Sequence, residues 1–298
     1  MTVFGVHTGP QNTTVDELRS LWTRIEDLGF DWISIWDHFY SADFKGYTNL
    51  EAVSIHTALA CHTSRVRVGS LVYCAGYRHP AVLAKAITTI DHLSGGRADI
   101  GLGAGWAFNE YEAYGIPFPG TGPRLDILEE SAACVRALLR DEVAQFEGEH
   151  FSLTDARNEP RPVQDALPIW VGGSGERRTL RIAARYADGW NVPFISPEIF
   201  AHKKGVLAER CAEIGRDPGE IRCAVNVGLA IDEDALQRQF GGLAEATRPG
   251  VLTGSGQQIV DGIGRYVEAG ADQINLAMRA PFEIEGLETL ATAIGDLS

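Results

Sequence analysis

The apolar positions of this chain switch repeatedly between a spacing of two and a spacing of three to four. Val3–Thr8 reads as a short strand. Thr14 to Glu17 (TVDE) has the form of a capping box and opens a helix with Val15, Leu18, Leu21, Trp22, Ile25 and Leu28 on one face. Gly29 stops that helix, and Asp31–Asp37, rich in β-branched and aromatic residues, is a second strand. Val66–Val72 is a third. Pro80–Leu93 is a helix, the turn Ser94–Arg97 follows, and Ala98–Ala104 is a fourth strand. Arg124–Arg140 is helical, with Leu125, Leu128, Ala132, Val135 and Leu139 in register.

Residues 141–168 break this rhythm. Phe146–Phe151 has the look of a small hairpin, and prolines 160, 162 and 168 follow. The alternation then resumes with strands at Pro168–Val171, Gly189–Val192, Ile221–Ile231 and Asp272–Met278. In the seventh strand Ile221, Cys223, Val225, Val227, Leu229 and Ile231 keep a strict period of two. A last helix groups Ile284, Leu287, Leu290, Ala291, Ile294 and Leu297. Eight strands alternating with helices predict an α/β fold with parallel pairing. A closed (β/α)8 TIM barrel with an inserted excursion between strands 4 and 5 is the economical arrangement, as a single domain over residues 1–298; a doubly wound open sheet is the alternative.

Barrels of this kind place chemistry at the C-terminal ends of their strands. The residues found there are His7, Thr8, Gly9, Asp37, His38, Phe39, Ser70, Leu71, Val72, Tyr73, Gly103, Ala104, Gly105, Trp106, the run Gly172, Gly173, Ser174, Gly175, then Trp190, Asn191, Asn275, Met278 and Arg279. Glycines that admit close approach and aromatics that wall a plane suit a flat ring cofactor. Gly172–Gly175 sits between a strand and a helix, where free N–H groups make an anion site, and Arg177 and Arg178 open that helix. The plainer reading is a tight turn followed by a solvated Arg face at Arg177, Arg181 and Arg185. His38 at a strand end is placed to carry a proton or donate a hydrogen bond; a structural histidine is the alternative, more so for His7. His56, His62 and His92 fall on predicted helices and receive no chemistry. No zinc-like spacing occurs.

Charge and cysteine usage narrow the partners. The formal net charge of −14 excludes general nucleic-acid binding and makes any anion site a local affair. Five cysteines, at 61, 74, 134, 211 and 223, form no CxxC pattern and read as reduced thiols of a cytoplasmic protein. No signal-peptide form and no apolar run near the ~18 residues of a membrane span appear.

Seven stretches in order along nearly the whole chain resemble the bacterial luciferase-like superfamily, and within it the branch that uses coenzyme F420. They are Trp36–Phe39 (WDHF), Tyr77–Ala81 (YRHPA), Asp91–Arg97 (DHLSGGR), Gly101–Trp106 (GLGAGW), Trp170–Gly173 (WVGG), Ala187–Trp190 (ADGW) and Tyr266–Asp272 (YVEAGAD). The resemblance implies a TIM barrel with the deazaflavin ring in its mouth and His38, beside Asp37, as the catalytic pair. It implies a non-proline cis peptide after strand 3, expected at Ser70–Leu71, whose bulge meets the ring. It implies a phosphate arm held by Gly172–Gly175, and a homodimer. Sugar-phosphate dehydrogenases of this branch carry a Glu directly after the Gly-x-Gly of strand 4; here Trp106 stands there, which favours a more apolar substrate. Glu110 is near in sequence, with no motif that assigns it the acid's role.

F420-dependent hydride transfer to or from a small organic substrate is the leading expectation. An FMN-dependent monooxygenase fed by a separate reductase is the alternative, ahead of a non-catalytic flavin binder and a sugar-phosphate isomerase or aldolase, for which no strand-end Lys is present. The loops around 40–50, 106–122 and 232–256 would select the substrate. Phe39, Tyr40, Phe44, Trp106 and Phe108 hint at an aromatic pocket there, with Phe39 and Trp106 its expected walls.

Overall fold

The structure, a computed structural model, describes residues 2–41, 46, 48–230, 232–254, 256–282 and 284–295; Phe44, Ile231, Leu297 and the side chain of Ile294 lie outside the described residues. Its strands are β1 (Val3–Thr8), β2 (Trp32–Ile35), β3 (Arg67–Ser70), β4 (Tyr73–Cys74), β5 (Ala98–Gly103), β6 (Ala144–Glu147), β7 (Ser152–Ala156), β8 (Ile169–Gly172), β9 (Gly189–Pro193), β10 (Arg222–Ala230), β11 (Val251–Thr253) and β12 (Gln273–Met278). Strands β1, β2, β3, β5, β8, β9, β10 and β12 pair in parallel in that order, and β12 pairs back onto β1, from Gln273 beside Val3 to Met278 beside Thr8. The expected eight-stranded barrel is closed, and the open sheet is excluded. The excursion between β5 and β8 is the antiparallel hairpin β6–β7. Among the described residues no helix is long and apolar enough to cross a membrane.

The period of two along β10 separates two different environments. Cys223, Val225, Val227 and Leu229 belong to the apolar layer between barrel and helices, whereas Ala224 packs with Trp32, Leu71 and Trp170 inside the barrel. Trp32 and Trp170, with ring centroids 5.6 Å apart, fill the lower interior. Strand glycines make room for them: a Cβ on Gly69 would lie 2.4 Å from Trp32 Cζ2, and one on Gly189 2.3 Å from Trp170 Cε3. Above the tryptophans runs a ladder of amides. Gln273 Nε2 donates to Asn275 Oδ1 at 2.9 Å, and Asn275 and Asn191 each donate to Asn226 Oδ1 at 3.0 Å. The barrel is therefore plugged below and polar above, which leaves its upper end open to a ligand.

One expected detail moves. The cis peptide is Leu71–Val72, one residue beyond Ser70–Leu71. Leu71 N still donates to Ile35 O at 2.8 Å, and Ser70 Oγ bonds Gly101 N at 3.0 Å. The sheet thus holds the chain through the Leu71 nitrogen, and the departure begins after it.

Two buried histidines couple the fold to pH. His56 is fully buried with Nδ1 2.8 Å from the Tyr73 hydroxyl, and His7 has Nδ1 2.8 Å from Ser34 Oγ. Burial lowers His56 from 6.5 to about 4. Burial, then the charge of Arg279, lowers His7 from 6.5 to about 3. Both stay neutral when folded and take up a proton when unfolded, so their stabilisation is complete above pH 6.5 and is lost as the pH falls toward 4. The expected loss is about 1.4 kcal/mol per pH unit for each histidine in that window. Urea unfolding at pH 7, 6 and 5 measures it, with His56→Asn expected to show the shallower dependence; identical slopes for both proteins would refute the assignment to His56.

Candidate active site

A cavity of about 550 Å³ opens at the C-terminal ends of the barrel strands. One wall is nearly free of side chains. Gly103, Ala104 and Gly105 leave β5, Gly172 and Gly173 leave β8, and the bulge Leu71–Val72 rises between them. A Cβ on Gly103 would sit 2.3 Å from Val72 Cγ2, and one on Gly172 2.6 Å from Val72 Cγ1. Val72 occupies its place on this wall because both neighbours lack side chains. The floor carries the amides Asn191 and Asn226.

The other walls carry the chemistry. His38 follows β2 and lines the cavity; its Nδ1 lies 2.9 Å from Glu110 Oε1. Glu110, only 1% exposed, sits in the short helix Phe108–Ala113. Its Oε2 accepts from the Tyr77 hydroxyl at 2.6 Å, and its Oε1 also accepts from Tyr40 N at 3.2 Å. Burial alone would raise the Glu110 carboxyl. The hydrogen bond and charge of His38, joined by the Tyr77 bond, outweigh burial and hold it below the ordinary range. Burial and this bond push the Tyr77 phenol up, so Tyr77 stays a donor. With Nδ1 engaged, Nε2 is the nitrogen through which His38 can exchange a proton with a ligand. Trp106 meets the His38 ring edge-on, with centroids 5.2 Å apart.

Several expected site residues take other positions. Asp37 lines the cavity, but its Oδ2 accepts from Arg78 Nη1 at 2.5 Å and Cys74 N at 2.9 Å, and its Oδ1 accepts from Arg78 Nη2 at 3.1 Å. That makes it a tether of the segment following β3. Phe39 lies off the cavity surface, stacked between Tyr77 and Tyr114 with centroids 4.4 Å away on each side. Ser70 is wholly buried behind the wall, where Gly101 takes its hydroxyl. Ser174 and Gly175 are set back from the cavity: Lys203 Nζ donates to Ser174 O at 2.9 Å, and Gly175 packs on Thr179. Arg178, which caps the helix Thr179–Tyr186, is drawn off to Asp126 at 2.5 Å and Arg185 to Glu129 at 2.9 Å, so the arginine face of this helix is partly a packing seam against the helix Thr121–Arg140. His7, Leu71, Val72, Gly103, Ala104, Gly105, Trp106, Gly172, Gly173 and Asn191 all line the cavity.

The sequence reading did not assign cavity roles to Tyr77, Thr179, Asn226 and Thr247, all of which line it. Arg279, noted as a strand-end residue, and Glu110, whose role was left open, gain definite places. The signal that would have found Asn226 is a polar residue at an even position of an otherwise apolar strand.

Known proteins share this architecture. The profile of the family described as luciferase-like monooxygenase matches residues 1–240. An uncharacterised protein of Mycobacterium tuberculosis is 33% identical over 216 residues, which cover 72% of this chain and 73% of that protein. An F420-dependent glucose-6-phosphate dehydrogenase of Kineococcus radiotolerans is 33% identical over 232 residues, 74% of this chain and 66% of its own. Among solved structures, an F420-dependent secondary alcohol dehydrogenase in complex with an F420-acetone adduct superposes with a TM-score of 0.87 at 20% identity, over 100% of this chain and 99% of the other. A long-chain alkane monooxygenase superposes at 0.82 with 14% identity, over 99% of this chain and 91% of the other.

Proposed function

Because the chain belongs to the luciferase-like monooxygenase family, we propose that it is an F420-dependent oxidoreductase within it, moving a hydride between the deazaflavin and a small, largely apolar organic substrate. The observation that carries this reading is His38 on the cavity wall with its Nδ1 fixed by the buried carboxylate of Glu110. Identity of 33% to a protein named for F420-dependent dehydrogenation supports the choice of cofactor.

The residues present fit such a group. Val72, seated where Gly103 and Gly172 lack side chains, supplies an apolar face that a planar ring can approach, and Asn191 and Asn226 offer amides at its edge. Gly173 and Thr179 mark where the phosphate arm would leave. When bound, the deazaflavin supplies a two-electron hydride carrier with carbon where a flavin has its reactive nitrogen. The chain supplies position, exclusion of water and the proton. In the reductive direction His38 gives the Nε2 proton to the substrate atom that gains negative charge; in the oxidative direction the neutral ring takes it from the hydroxyl. Glu110 holds the ring in one orientation, and Tyr77 and the Tyr40 N–H keep the carboxylate in place. Leu243, Ala246 and Thr247 also line the cavity.

A flavin monooxygenase is the second reading, since the alkane monooxygenase shares the fold. Parallel titrations of cofactor-free protein with F420 and FMN decide between them, followed by tryptophan fluorescence. Tighter F420 binding is expected; tighter FMN binding would reverse the order and make oxygen uptake with reduced FMN the next assay. The same titration tests the glycine wall. Gly173 has φ +131, and a Cβ there would meet Thr179 Cγ2 at 3.2 Å. Gly173→Val is expected to raise the cofactor Kd roughly 5- to 150-fold, from about 1–3 kcal/mol of backbone strain. An unchanged Kd would put the phosphate arm elsewhere.

A further inference from the structure

We infer that His7 is a second imidazole of the site, a fixed N–H donor that receives the carbonyl oxygen of the substrate, so that the substrate class is an uncharged carbonyl compound or the matching alcohol. This deepens the hydride-transfer reading, on which it rests, by naming the group that the cavity recognises.

Position comes first. His7 and His38 both line the cavity. They sit at the ends of neighbouring strands, His7 beside Ser34 of β2 and His38 just beyond that strand. In the closed barrel order β8 lies opposite β1, so His7 stands across the mouth from the glycine wall. A substrate layered over a ring on that wall meets both imidazoles.

The hydrogen bond behind His7 decides which of its nitrogens carries the proton. Nδ1 lies 2.8 Å from Ser34 Oγ, and Ser34 is fully buried. Among the described residues the Ser34 hydroxyl has no acceptor besides Nδ1. Were Nδ1 the donor, the Ser34 proton would be stranded in the interior, which costs more than the tautomer that satisfies it. Ser34 therefore donates to Nδ1, and the proton of the neutral ring sits on Nε2. Nε2 has no partner among the described residues and, unlike His56 Nε2, is not enclosed, so it opens on the cavity. Trp36 packs on the ring with centroids 5.0 Å apart. It has room there because Gly9 lacks a side chain: a Cβ on Gly9 would lie 1.8 Å from Trp36 Cζ2. Burial, ahead of the charge of Arg279, keeps the ring neutral.

The two histidines then divide the work. His38, backed by a carboxylate, is placed to pass a proton; His7, backed by a hydroxyl, keeps its own. In the reductive direction the carbonyl carbon gains the hydride of the reduced cofactor. The C=O π pair moves to oxygen, which takes the proton of His38, and the His7 N–H steadies that oxygen while charge develops on it. In the oxidative direction the same bonds are remade in reverse. An ammonium group at that place would set donor against donor and be rejected.

The tautomer is read first by NMR, on cofactor-free protein with nitrogen-15 in its histidines, which keeps the result separate from the choice between F420 and FMN. The His7 signals, identified by their loss in His7→Gln, are expected to show a protonated Nε2 and a bare Nδ1 unchanged from pH 8 to pH 5.5. A protonated Nδ1, or a change of charge in that range, would overturn the inference. Cyclohexanone and the carbonyl-free methylenecyclohexane are then titrated into protein saturated with whichever oxidised cofactor binds more tightly. Cyclohexanone is expected to move the Nε2 proton signal and methylenecyclohexane to leave it. His7→Leu is expected to weaken cyclohexanone binding roughly 2- to 12-fold, the scale of one neutral hydrogen bond, with no loss for methylenecyclohexane; His7→Gln, which keeps a donor, retains most of it. An Nε2 proton unmoved at the solubility limit of cyclohexanone, or equal losses for both ligands in His7→Leu, refutes the assignment. Should His7→Leu fail to fold, Ser34→Ala carries the test: a mixed His7 tautomer with weaker binding of cyclohexanone alone supports it, and wild-type behaviour refutes it.

Discussion

Replacing His38 by Ala is expected to lower kcat about 10²- to 10⁴-fold, the usual contribution of a positioned acid or base, while the cofactor Kd stays within about threefold. The asymmetry follows from geometry. His38 faces the cavity from the end of β2, whereas the glycine wall is built from β5, β8 and the Leu71–Val72 bulge. Ala also strands the Glu110 carboxylate, 1% exposed, without its imidazole, and breaking such a buried pair costs about 3–5 kcal/mol. His38→Asn separates the two effects: its amide can still donate to Glu110 but cannot carry a proton. Steady-state kinetics with the bound cofactor give the answer. A His38→Asn enzyme that turns over at the wild-type rate would remove His38 from proton transfer.

Glu110→Gln is expected to lower kcat about 10- to 100-fold, the free energy of a charge-assisted hydrogen bond of ~1.5–3 kcal/mol. Its diagnostic is a double-mutant cycle with His38→Asn. Glu110 Oε1 lies 2.9 Å from His38 Nδ1, so a carboxylate that acts by positioning the ring loses most of its effect once the imidazole is gone. Tyr77→Phe removes one neutral donor from the same carboxylate and should lower kcat less than Glu110→Gln. Full additivity of Glu110→Gln and His38→Asn would leave Glu110 as packing for the Phe108–Ala113 helix and nothing more.

Much of this site is local in the chain and legible for that reason. A period of two that gives way to a period of three to four identifies each strand and helix, and a βαβ crossover admits little besides a parallel sheet. The strand-end glycines of β5 and β8 stand out because their motifs are contiguous. The small surprises are of one kind. Glycines such as Gly69 and Gly189, set within or at the start of strands, look like turn residues and are spaces for Trp32 and Trp170.

What the sequence determined by itself is the order of elements, the barrel, the glycine wall and the presence of His38 at a strand end, since each depends on neighbours within a few residues. What the tertiary structure decided is the partner of every polar side chain. His38 and Glu110 are 72 residues apart, and Asp37 and Arg78 are 41 apart. Nothing in the spacing says that Glu110 turns to the imidazole while Asp37 is consumed by an arginine. Nor does it say that Phe39 is stacked between two tyrosines while Trp106, 51% exposed, keeps the cavity wall. Hydrogen bonds and ion pairs act over about 3 Å, so their choice waits until the strand ends have been brought together around a closed barrel.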